Sequence, residues 1–489
     1  MSSEWPRVEL SSCATFQEGY VNPSQKKPEY FGDEIKWLRA VDLNDGYVFE
    51  TSRKLSKVGF ESAGKSAMLF EPGTLAISKS GTIGRIGILK DWVCGNRAVI
   101  NIKVKEDLCN NRFIFYILLS SRHEIESLAV GSVQKNLYTS SLGKLKFNLP
   151  PRHIQDQIAE IVGGLDDKIE LNRRTNQTLE QIAQTLFKSW FVDFDPVRAK
   201  VAVREHFEQR AAGHGEPVPA PAALEEAQKT AAAATIAGLT FDPTDIDGTR
   251  TLLEEKLAGM DSEQRSQLLD TAGLFPEEFI ETPNEKYPKG WSWGALSSIC
   301  ELNARSWTKK NAPERLSYVD LANTKNGSIN SIENYDWDDA PSRARRILRP
   351  GDTIVGTVRP GNRSYARIGR YSSGLTGSTG FAVLTPINVS WTEFLYIAAT
   401  NDEAIDRLAH LADGGAYPAV RPGVVVEAEM AIPCQSLIEE FSSRVQPMFE
   451  MVDTNIQSSQ TLTELRDALL PKLLSGEIQL NPEPIAEAS

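Results

Sequence analysis

Residues 151 to 190 decide the fold; they read PRHIQDQIAEIVGGLDDKIELNRRTNQTLEQIAQTLFKSW. Apolar residues and one asparagine recur in this segment at strict seven-residue spacing, at Ile158, Leu165, Asn172, Leu179 and Leu186. A heptad stripe of this kind predicts a helix that buries one seam against another helix. Four isoleucines are expected to reinforce the seam, namely Ile154, Ile161, Ile169 and Ile182. The segment therefore needs a partner helix.

The partner is a second heptad segment near the C-terminus. It repeats the first in register, with Phe441, Met448, Asn455, Leu462 and Leu469. A polar Asn in an apolar seam costs stability unless it meets a partner, and it commonly fixes helix register. We therefore expect the two helices to pair antiparallel, with Asn172 and Asn455 facing each other. At 1.5 Å per residue, about 40 residues make a rod of roughly 60 Å.

The remainder of the chain repeats as well, with an offset near 283 residues. Five pairs of stretches match in the same order: WPRVELSSC (5–13) and WSWGALSSI (291–299), WLRAVDLNDG (37–46) and RLSYVDLANTKNG (315–327), LFEPGTLAIS (69–78) and ILRPGDTIVG (347–356), AVGSVQKN (129–136) and ADGGAYPA (412–419), and FNLPP (147–151) and MAIPC (430–434). Five matches in one order indicate an internal duplication.

Each copy mixes short β-branched runs, Gly/Pro/Asn turns and one helical stretch, which predicts a compact α+β domain. The predicted fold is α+β, with two similar globular domains joined by two long antiparallel coiled-coil helices in a pseudo-two-fold internal repeat. The predicted order is domain 1 over 1–150, helix 1 over 151–195, a connector over 196–284, domain 2 over 285–433, helix 2 over 434–480 and a tail over 481–489.

The charge of the chain is unevenly placed. The net charge is -12, yet residues 52 to 105 hold 10 basic and 3 acidic residues, and residues 341 to 370 hold 8 arginines with Asp352 as the one acidic residue. Two basic stretches in matching places favour polyanion binding by both domains. Two alike domains on an antiparallel helix pair can read two half-sites on DNA at a fixed spacing.

Several classes of protein are disfavoured. No basic region followed by an apolar region opens the chain, and no run of about 18 apolar residues occurs, so we expect a cytoplasmic protein. The 5 cysteines are scattered without a C-x-x-C pair, which indicates reduced thiols. The 5 histidines form no ligand cluster, so no metal site is expected.

The chain closely resembles the specificity subunit of Type I restriction-modification enzymes. The resemblance is carried by LPPRHIQDQIAEIVGGLDDKIELNRRTNQTLEQIAQTLFKSWFVDFDPVRAK, by GLFPEEF and PKGWSW, and by LRDALLPKLLSGEI. It implies that the two domains are target recognition domains and that the helices are the conserved spacer regions. It also implies a subunit without catalysis of its own, whose partners are double-stranded DNA, two modification (methyltransferase) subunits and the restriction (helicase-nuclease) subunits. The complex would methylate adenine and act as an ATP-dependent endonuclease.

The residues agree with a non-catalytic chain. We find no adenine-methyltransferase N-P-P-[YF] motif, no Gly-rich loop for S-adenosylmethionine and no nuclease carboxylate signature, so S-adenosylmethionine, ATP and Mg are expected on partner subunits. Asp166, Asp167, Asp338 and Asp339 are interpreted as solvated residues. A stand-alone bipartite DNA-binding or scaffold protein remains the alternative, and neighbouring genes for enzyme subunits would exclude it.

The connector over 196–284 is longer than the resemblance leads us to expect. It holds 8 basic and 16 acidic residues and includes the Ala/Pro-rich stretch EPVPAPAALEEAQKTAAAATIAGL. The sequence leaves two alternatives open: a flexible acidic linker, or helices such as TLLEEKLAGM that pack on a methyltransferase partner.

Residues 59 to 66, GFESAGKS, match the Walker A pattern and suggest an ATPase. That pattern requires a buried strand before the loop and a helix after it. TSRKLSKV is not a buried strand, and only AMLFE separates Ser66 from the Pro72-Gly73 turn. In the second copy Ser342-Arg343-Ala344 takes the place of Gly64-Lys65-Ser66. We therefore interpret the stretch as a basic loop that contacts a DNA phosphate.

Candidate DNA contacts are polar residues on loops between strands, because phosphates and base edges accept hydrogen bonds there. In the first domain they are Lys65, Lys79, Ser80, Arg85, Asn96, Arg97, Gln134, Lys135 and Asn136. In the second domain they are Arg343, Arg345, Arg346, Arg359, Asn362, Arg363, Ser378, Thr379 and Tyr417.

Overall fold

The fold was analysed in a computed structural model, which describes residues 5–480 except 132–134, 215–216, 284, 372–373 and 416. The chain divides into two compact units. Unit 1 comprises Met1–Asn172 with Ser458–Ser489, and unit 2 comprises Arg173–Gln457. Each long helix contributes one segment to each unit, so both units contain a globular domain and a pair of helix segments.

The domain of unit 1 is built from short strands. They are β1 (Arg7–Glu9), β2 (Ala14–Glu18), β3 (Phe31–Leu38), β4 (Gly46–Val48), β5 (Lys54–Leu55), β6 (Leu69–Phe70), β7 (Leu75–Ser78), β8 (Ile86–Leu89), β9 (Val93–Gly95), β10 (Val99–Val104) and β11 (Lys146–Asn148). The helices are α1 (Leu10–Cys13), α2 (Lys57–Glu61), α3 (Asn111–Ser120), α4 (Arg122–Ser127), α5 (Thr139–Leu142) and the long α6 (Arg152–Phe187). The sheets have the strand orders β2-β10-β7-β8-β4, β5-β3-β9-β6 and β1-β11.

Unit 2 begins with helical elements and continues into strands. After a π-helical turn at Lys188–Val192 come α7 (Asp195–His214), α8 (Pro221–Ile236), α9 (Ile246–Ala258) and α10 (Ser262–Leu274). The strands are β12 (Phe279–Glu281), β13 (Lys286–Pro288), β14 (Ser292–Ala295), β15 (Cys300–Leu302), β16 (Arg315–Val319), β17 (Thr324–Lys325), β18 (Ser328–Ile329), β19 (Glu333–Asp336), β20 (Ala344–Ile347), β21 (Thr353–Gly356), β22 (Tyr365–Arg367), β23 (Leu375–Ser378), β24 (Phe381–Pro386) and β25 (Glu429–Ile432). The last helices are α11 (Thr392–Thr400), α12 (Asp402–Leu411), α13 (Pro422–Val426) and the long α14 (Gln435–Ser475).

The sheets confirm the internal duplication. The order β15-β24-β21-β22 in unit 2 repeats β2-β10-β7-β8 in unit 1, and β19-β16-β23-β20 repeats β5-β3-β9-β6. In both copies of the second sheet the same central pair is parallel, β3 with β9 and β16 with β23. The terminal strands also pair in both copies, β1 with β11 and β14 with β25. One topology is therefore present twice in the chain.

The heptad seams are packed within each unit, and the helix segments there run antiparallel, as predicted. In unit 1, Arg466 pairs with Asp166, and the Asn172 amide donates to the Ser459 hydroxyl over 3.2 Å. In unit 2, the Asn455 amide donates to Asn176 Oδ1 over 2.8 Å. The predicted contact between Asn172 and Asn455 would join the two units and stays a prediction.

Two of the isoleucines assigned to the seam do not lie in it. Ile161 and Ile182 are exposed, whereas Ile158 of the heptad stripe is fully buried. The covered positions beside the stripe are Val162 and Ala183, each one residue beyond these isoleucines, so the buried face includes the residue at i+4 and leaves the one at i+3 on its exposed side. These two residues were wrongly assigned and need another explanation.

The connector folds into helices that pack within unit 2, so the described residues do not form the flexible linker of the first alternative. The alanines of α8 are buried among α7, α9 and α10, because a helix with small side chains allows close approach of its neighbours. The Thr271 hydroxyl of α10 donates to Glu440 of α14 over 2.9 Å, and Arg444 donates back to Thr271 over 2.8 Å. These hydrogen bonds fix the connector to the rest of unit 2. Packing on a methyltransferase partner stays a prediction.

Candidate nucleic-acid interface

In each domain, two loops are connected by backbone hydrogen bonds, and the two domains share this pattern. We call these loops the paired loops: 79–85 with 130–136 in unit 1, and 357–364 with 413–419 in unit 2. The first loop of each pair follows a fully buried central strand, β7 or β21, and the second follows a helix pair. Buried strands that end in polar loops hold those loops on a rigid support.

The backbone contacts are equivalent in the two copies. In unit 1 the Leu137 N–H donates to Lys79 O over 2.9 Å, and in unit 2 the Val420 N–H donates to Thr357 O over 2.9 Å. The base of the second loop closes with an isolated antiparallel bridge, Val130 with Asn136 and Asp413 with Ala419. The duplication therefore extends to the hydrogen bonds that position the candidate interface.

The structure gathers most of the unit 1 candidates at the paired loops. Lys79, Ser80 and Arg85 lie on the first loop and Lys135 and Asn136 on the second; Gln134 lies outside the described residues. The ammonium of Lys79 is mostly buried and pairs with Glu18 over 2.7 Å, so it is held within the domain.

Three further candidates lie outside the unit 1 loops. Asn96 and Arg97 follow β9, next to the Ala98 carbonyl that accepts from the Lys79 N–H over 2.8 Å. Asn96 is half-buried, and its Oδ1 accepts from the Ala98 N–H over 3.0 Å. Lys65 lies on a 3-10 turn before β6 and belongs to neither of the paired loops. Among the described residues no carboxylate pairs with the exposed cations Lys65, Arg85, Arg97 and Lys135.

In unit 2 the candidates fall into two groups. Arg359, Asn362 and Arg363 lie on the first of the paired loops, and Tyr417 lies on the second, with 70% of its surface exposed. The Arg359 guanidinium lies over the Tyr417 ring, 4.5 Å from its centroid. Arg363 pairs with Asp402 at the start of α12.

The second group surrounds β20. The Thr379 N–H donates to Arg343 O over 2.8 Å, which places Thr379 beside the arginine-rich strand. Ser378 is only 1% exposed, and its hydroxyl oxygen accepts from the Gly380 N–H over 3.2 Å. Since a buried hydroxyl cannot reach a base or a phosphate, Ser378 is removed from the candidates.

The three arginines of this group are engaged by neighbouring side chains. Arg343 donates from Nε to the Tyr318 hydroxyl over 2.9 Å and pairs with Asp320; these partners raise the pKa of its guanidinium. Arg345 lies 4.5 Å over the Trp337 ring. Arg346 donates to the Ser306 hydroxyl over 3.2 Å, and burial lowers the pKa of its guanidinium.

Sequence reasoning missed the carboxylates that hold these cations. Glu18, Asp320 and Asp402 meet Lys79, Arg343 and Arg363 respectively, from 23 to 61 positions away in the chain. Counting charges along a stretch of sequence cannot find such pairs, because their members are distant in the chain and meet only in the folded domain. Each candidate interface, taken by itself, therefore contains cations that carboxylates of its own domain hold in place.

The GFESAGKS stretch does not take the Walker A geometry. Its first residues belong to the short helix α2, Gly64–Ser66 form a single 3-10 turn, and the strand Leu69–Phe70 follows. A phosphate cradle needs a helix that starts at the Lys-Ser end of the loop, so that its N–H groups point at the phosphates. A strand stands there instead, and the stretch is not a nucleotide site.

Other classes of site and segment are not found in the described part of the chain. Within the part of the chain that the structure covers, no group of three or more His, Cys, Asp or Glu side chains is arranged to hold a metal ion. None of the described helices combines the length and the apolar character needed to cross a membrane. All five cysteines are free thiols, four of them buried.

Comparisons with known proteins agree with these features. Residues 2–181 match the family model of the Type I restriction modification DNA specificity domain. The chain is 28% identical over 406 residues to the Type I restriction enzyme HindI specificity subunit of Haemophilus influenzae, covering 80% of this chain and 82% of that protein. It is 22% identical to the MjaIX specificity subunit of Methanocaldococcus jannaschii, covering 94% of this chain and 91% of that protein.

Solved structures give a further comparison. The crystal structure of a Type-I restriction-modification system S subunit from M. genitalium matches with 15% identity over 96% of each chain and a TM-score of 0.45.

Proposed function

We propose that the chain, which is similar to Type I restriction-modification specificity subunits over most of its length, is such a subunit and recognises a split DNA target, with one recognition domain for each half-site. The proposal is carried by the paired loops, which one topology builds twice with equivalent hydrogen bonds. Their polar and basic side chains can donate to phosphates and base edges. Because the two copies carry different side chains on these loops, the two half-sites would differ in sequence.

The long helices would dock the partner subunits. Ile182 of α6 and Leu465 of α14 occupy equivalent positions of the duplicated helix, and 47% and 45% of their surfaces are exposed. A single exposed apolar side chain is ordinary, but its repetition at the same place in both copies makes these two positions our candidates for a contact with another protein. Ile182 belongs to unit 2 and Leu465 to unit 1. We propose one modification subunit on each unit, with restriction subunits completing the complex.

The chemistry would reside in those partners. The modification subunits would use S-adenosylmethionine to methylate adenine, and the restriction subunits would use ATP and Mg to drive cleavage; we assign no cofactor to this chain. The complex would act on DNA in the cytoplasm.

Methylome sequencing tests the proposed function. A host that expresses this chain with its modification subunits should carry adenine methylation at a split motif with a fixed gap. Replacing residues 285–433 by the corresponding domain of another specificity subunit should change one half of the motif and leave the other half intact. Unsplit motifs, or an unmethylated genome, would contradict the proposal.

Docking is tested separately by two matched variants. Ile182→Asp and Leu465→Asp each place a charge in one proposed contact, so each should reduce the bound modification subunits from two to one in native mass measurements. Val389→Asp is the control, because Val389 is 78% exposed and lies on the domain rather than on a long helix. Equal stoichiometry in all three variants would exclude docking at these positions.

A further inference from the structure

Strand β20 of unit 2 contains a β-bulge. Ala344 of β20 lies opposite Ser378 of β23, and Arg346 lies opposite Gly377, so Arg345 is one extra residue between two paired positions. A bulge takes its extra side chain out of the regular alternation of the strand and re-aims it. In unit 1 the equivalent strand β6 pairs with β9 in regular register. The bulge in this strand is therefore particular to the second domain.

The backbone around the bulge is fixed on both sides of the strand. Arg346 pairs with Gly377 of β23 on one side and, in an isolated antiparallel bridge, with Ser306 on the other. On that second side the Trp307 N–H donates to Arg345 O over 2.8 Å. The position from which the Arg345 side chain starts is therefore held by hydrogen bonds that do not involve the side chain.

The start of β20 lies beside the base of the paired loops. The Thr379 N–H donates to Arg343 O over 2.8 Å, and the next residue, Gly380, accepts at its carbonyl from the Thr357 N–H over 2.9 Å. Thr357 is the first residue of the paired loops of unit 2. One hydrogen-bonded turn therefore connects the bulged strand to the surface that we propose for DNA contact.

The guanidinium of Arg345 is oriented by two contacts. It lies 4.5 Å over the centroid of the Trp337 ring, and its Nη1 donates to the carbonyl of the preceding residue, Ala344, over 2.8 Å. The ring attracts the cation to its face, and the hydrogen bond limits rotation of the group. The edge formed by Nε and Nη2 has no partner among the described residues. Neighbouring Arg343 pairs with a carboxylate and the Nε of Arg346 is buried, so their donors are less available.

We propose that Arg345, presented by the bulge and held by Trp337, reads a guanine in the half-site of the second domain. This inference rests on the proposed function and names a specificity-determining contact within it. A free guanidinium edge carries two parallel N–H donors, which match O6 and N7 of guanine in the major groove. A phosphate contact needs charge alone, which a flexible arginine on a regular strand would supply as well. The bulge, the stack and the Nη1 hydrogen bond are together explained by a requirement for an oriented pair of donors.

The test uses the full chain in complex with its modification subunits. Arg345→Ala installs the residue that the first domain has at the equivalent position, Ala67. One guanine of the second half-motif should then become degenerate in the methylome, while the first half-motif stays unchanged. Binding of the complex to the original target should weaken about five- to a hundredfold, as expected for one lost bidentate base contact. The melting temperature should change little, because backbone hydrogen bonds hold the bulge.

Three further variants separate a base contact from other roles. Arg345→Lys keeps the charge and the alkyl stem but loses the planar pair of donors, so it should relax the same guanine. Trp337→Leu keeps an apolar side chain but removes the stack, so it should relax that guanine in part. Arg315→Ala is the control: the exposed Arg315 of β16, in the same sheet, already pairs with Asp336 over 3.1 Å, and its loss should leave the motif intact.

Several outcomes would overturn the inference. An unchanged motif in Arg345→Ala excludes base reading, and uniformly weaker methylation without a change of motif identifies a phosphate contact instead. A clear drop in the melting temperature of Arg345→Ala would show that the side chain supports the fold.

The remaining variants decide the question even if Arg345→Ala does not fold. Full guanine specificity in Arg345→Lys would show that charge alone is sufficient, and full specificity in Trp337→Leu would show that the stack does not orient the donors. Absence of any split motif in the wild-type complex would remove the proposed function as well, and this result is distinct from a split motif that survives the substitutions.

Discussion

The two domains are held on their helix segments by different chemistry, although their topology is the same. In unit 2 the contact is mainly aromatic, and beside the rings Arg367 of the domain pairs with Asp453 of α14 over 2.6 Å, with both side chains nearly buried. Phe191 lies 5.0 Å from Phe394 and 5.1 Å from Phe441 between ring centroids, and Trp190 lies 5.1 Å from Phe275. These rings belong to one continuous buried cluster that joins the domain to α6 and α14.

In unit 1 the corresponding contact is aliphatic and ionic. Residues of the long helices such as Ile158, Val162 and Leu473 enter the domain core, and none of the described residues that α6 and α14 contribute to this cluster is aromatic. Beside them Asp166 accepts from the Tyr116 hydroxyl over 2.6 Å and pairs with Arg466 over 2.9 Å.

Asp167 completes this ionic contact. It pairs with Arg112 over 2.6 Å and accepts from the Tyr47 hydroxyl over 2.7 Å. At the positions of the duplicated helix equivalent to Asp166 and Asp167, unit 2 has Phe449 and Glu450. The comparison teaches that one helix–domain contact can rest mainly on aromatic burial, or on aliphatic burial with a partly exposed ion network, with different sensitivity to salt and pH.

The largest effect is expected from truncating the aromatic cluster. Phe441→Ala should destabilise unit 2 by about 3–5 kcal/mol, because it removes a fully buried ring and leaves a cavity. Hydrogen exchange followed by mass spectrometry should show lost protection in unit 2 and little change in unit 1. The matched control is Ile158→Ala at the equivalent heptad position, which should reverse the pattern. Loss of protection spread equally over both units would contradict the comparison.

The helices and the duplication could be predicted from sequence because their signals are periodic. Heptad spacing and five matches in one order depend on positions within the chain, and the antiparallel helix pairs and repeated sheets follow from them. The width of the seam was misjudged at Ile161 and Ile182, since an apolar residue does not reveal whether a helix or solvent covers it.

The ionic contact could not be predicted from sequence. Asp166 and Asp167 were interpreted as solvated, yet they bind side chains of the domain and of α14. Arg112 and Tyr47 lie 55 and 120 positions away from Asp167, so no local pattern connects them. The pairing of the loops could not be predicted from sequence either, because the hydrogen bonds between them form only once the fold brings the two loops together. The composition of the loops was visible in the sequence, and most of their polar and basic residues were predicted as DNA contacts for that reason.

A second prediction sharpens the comparison through pH. Burial in unit 2 raises the pKa of Glu180 on α6 to about 7, against the opposing charge of Arg367. A carboxyl whose pKa is higher in the folded state binds more protons there than in the unfolded chain. Its stabilising contribution is therefore present in acid and is lost as pH rises from about 4.5 through 7.

Unit 2 should accordingly lose about 2 kcal/mol between pH 5.5 and pH 8 through this group. Glu180→Gln cannot titrate, so it should flatten that dependence. Denaturant unfolding at the two pH values, with hydrogen exchange to assign the unit, measures the effect. An equal pH dependence in the wild type and in Glu180→Gln would show that Glu180 is already ionised in the fold.

The smallest effect concerns the ionic contact of unit 1. Arg112 lowers the pKa of Asp167, so the pair stabilises unit 1 above the unfolded pKa of about 4 and loses this contribution as pH falls below it. Half of the Asp167 side chain is exposed, which limits the contribution to about 0.5–1 kcal/mol after screening by solvent.

Asp167→Asn should therefore reduce protection in unit 1 slightly at low salt, and the difference from the wild type should shrink in 1 M NaCl, where charges are screened within about 3 Å. Glu450→Gln is the matched control, because Glu450 is the equivalent residue of unit 2 and its pair with Arg370 is exposed on both sides. Unit 2 should keep its protection in that control at either salt concentration, since its aromatic cluster does not depend on charge and its ion pair between Arg367 and Asp453 is too buried to be screened strongly. A salt response of unit 2 as large as that of unit 1 would mean that ion pairs, rather than aromatic burial, hold both domains on their helices.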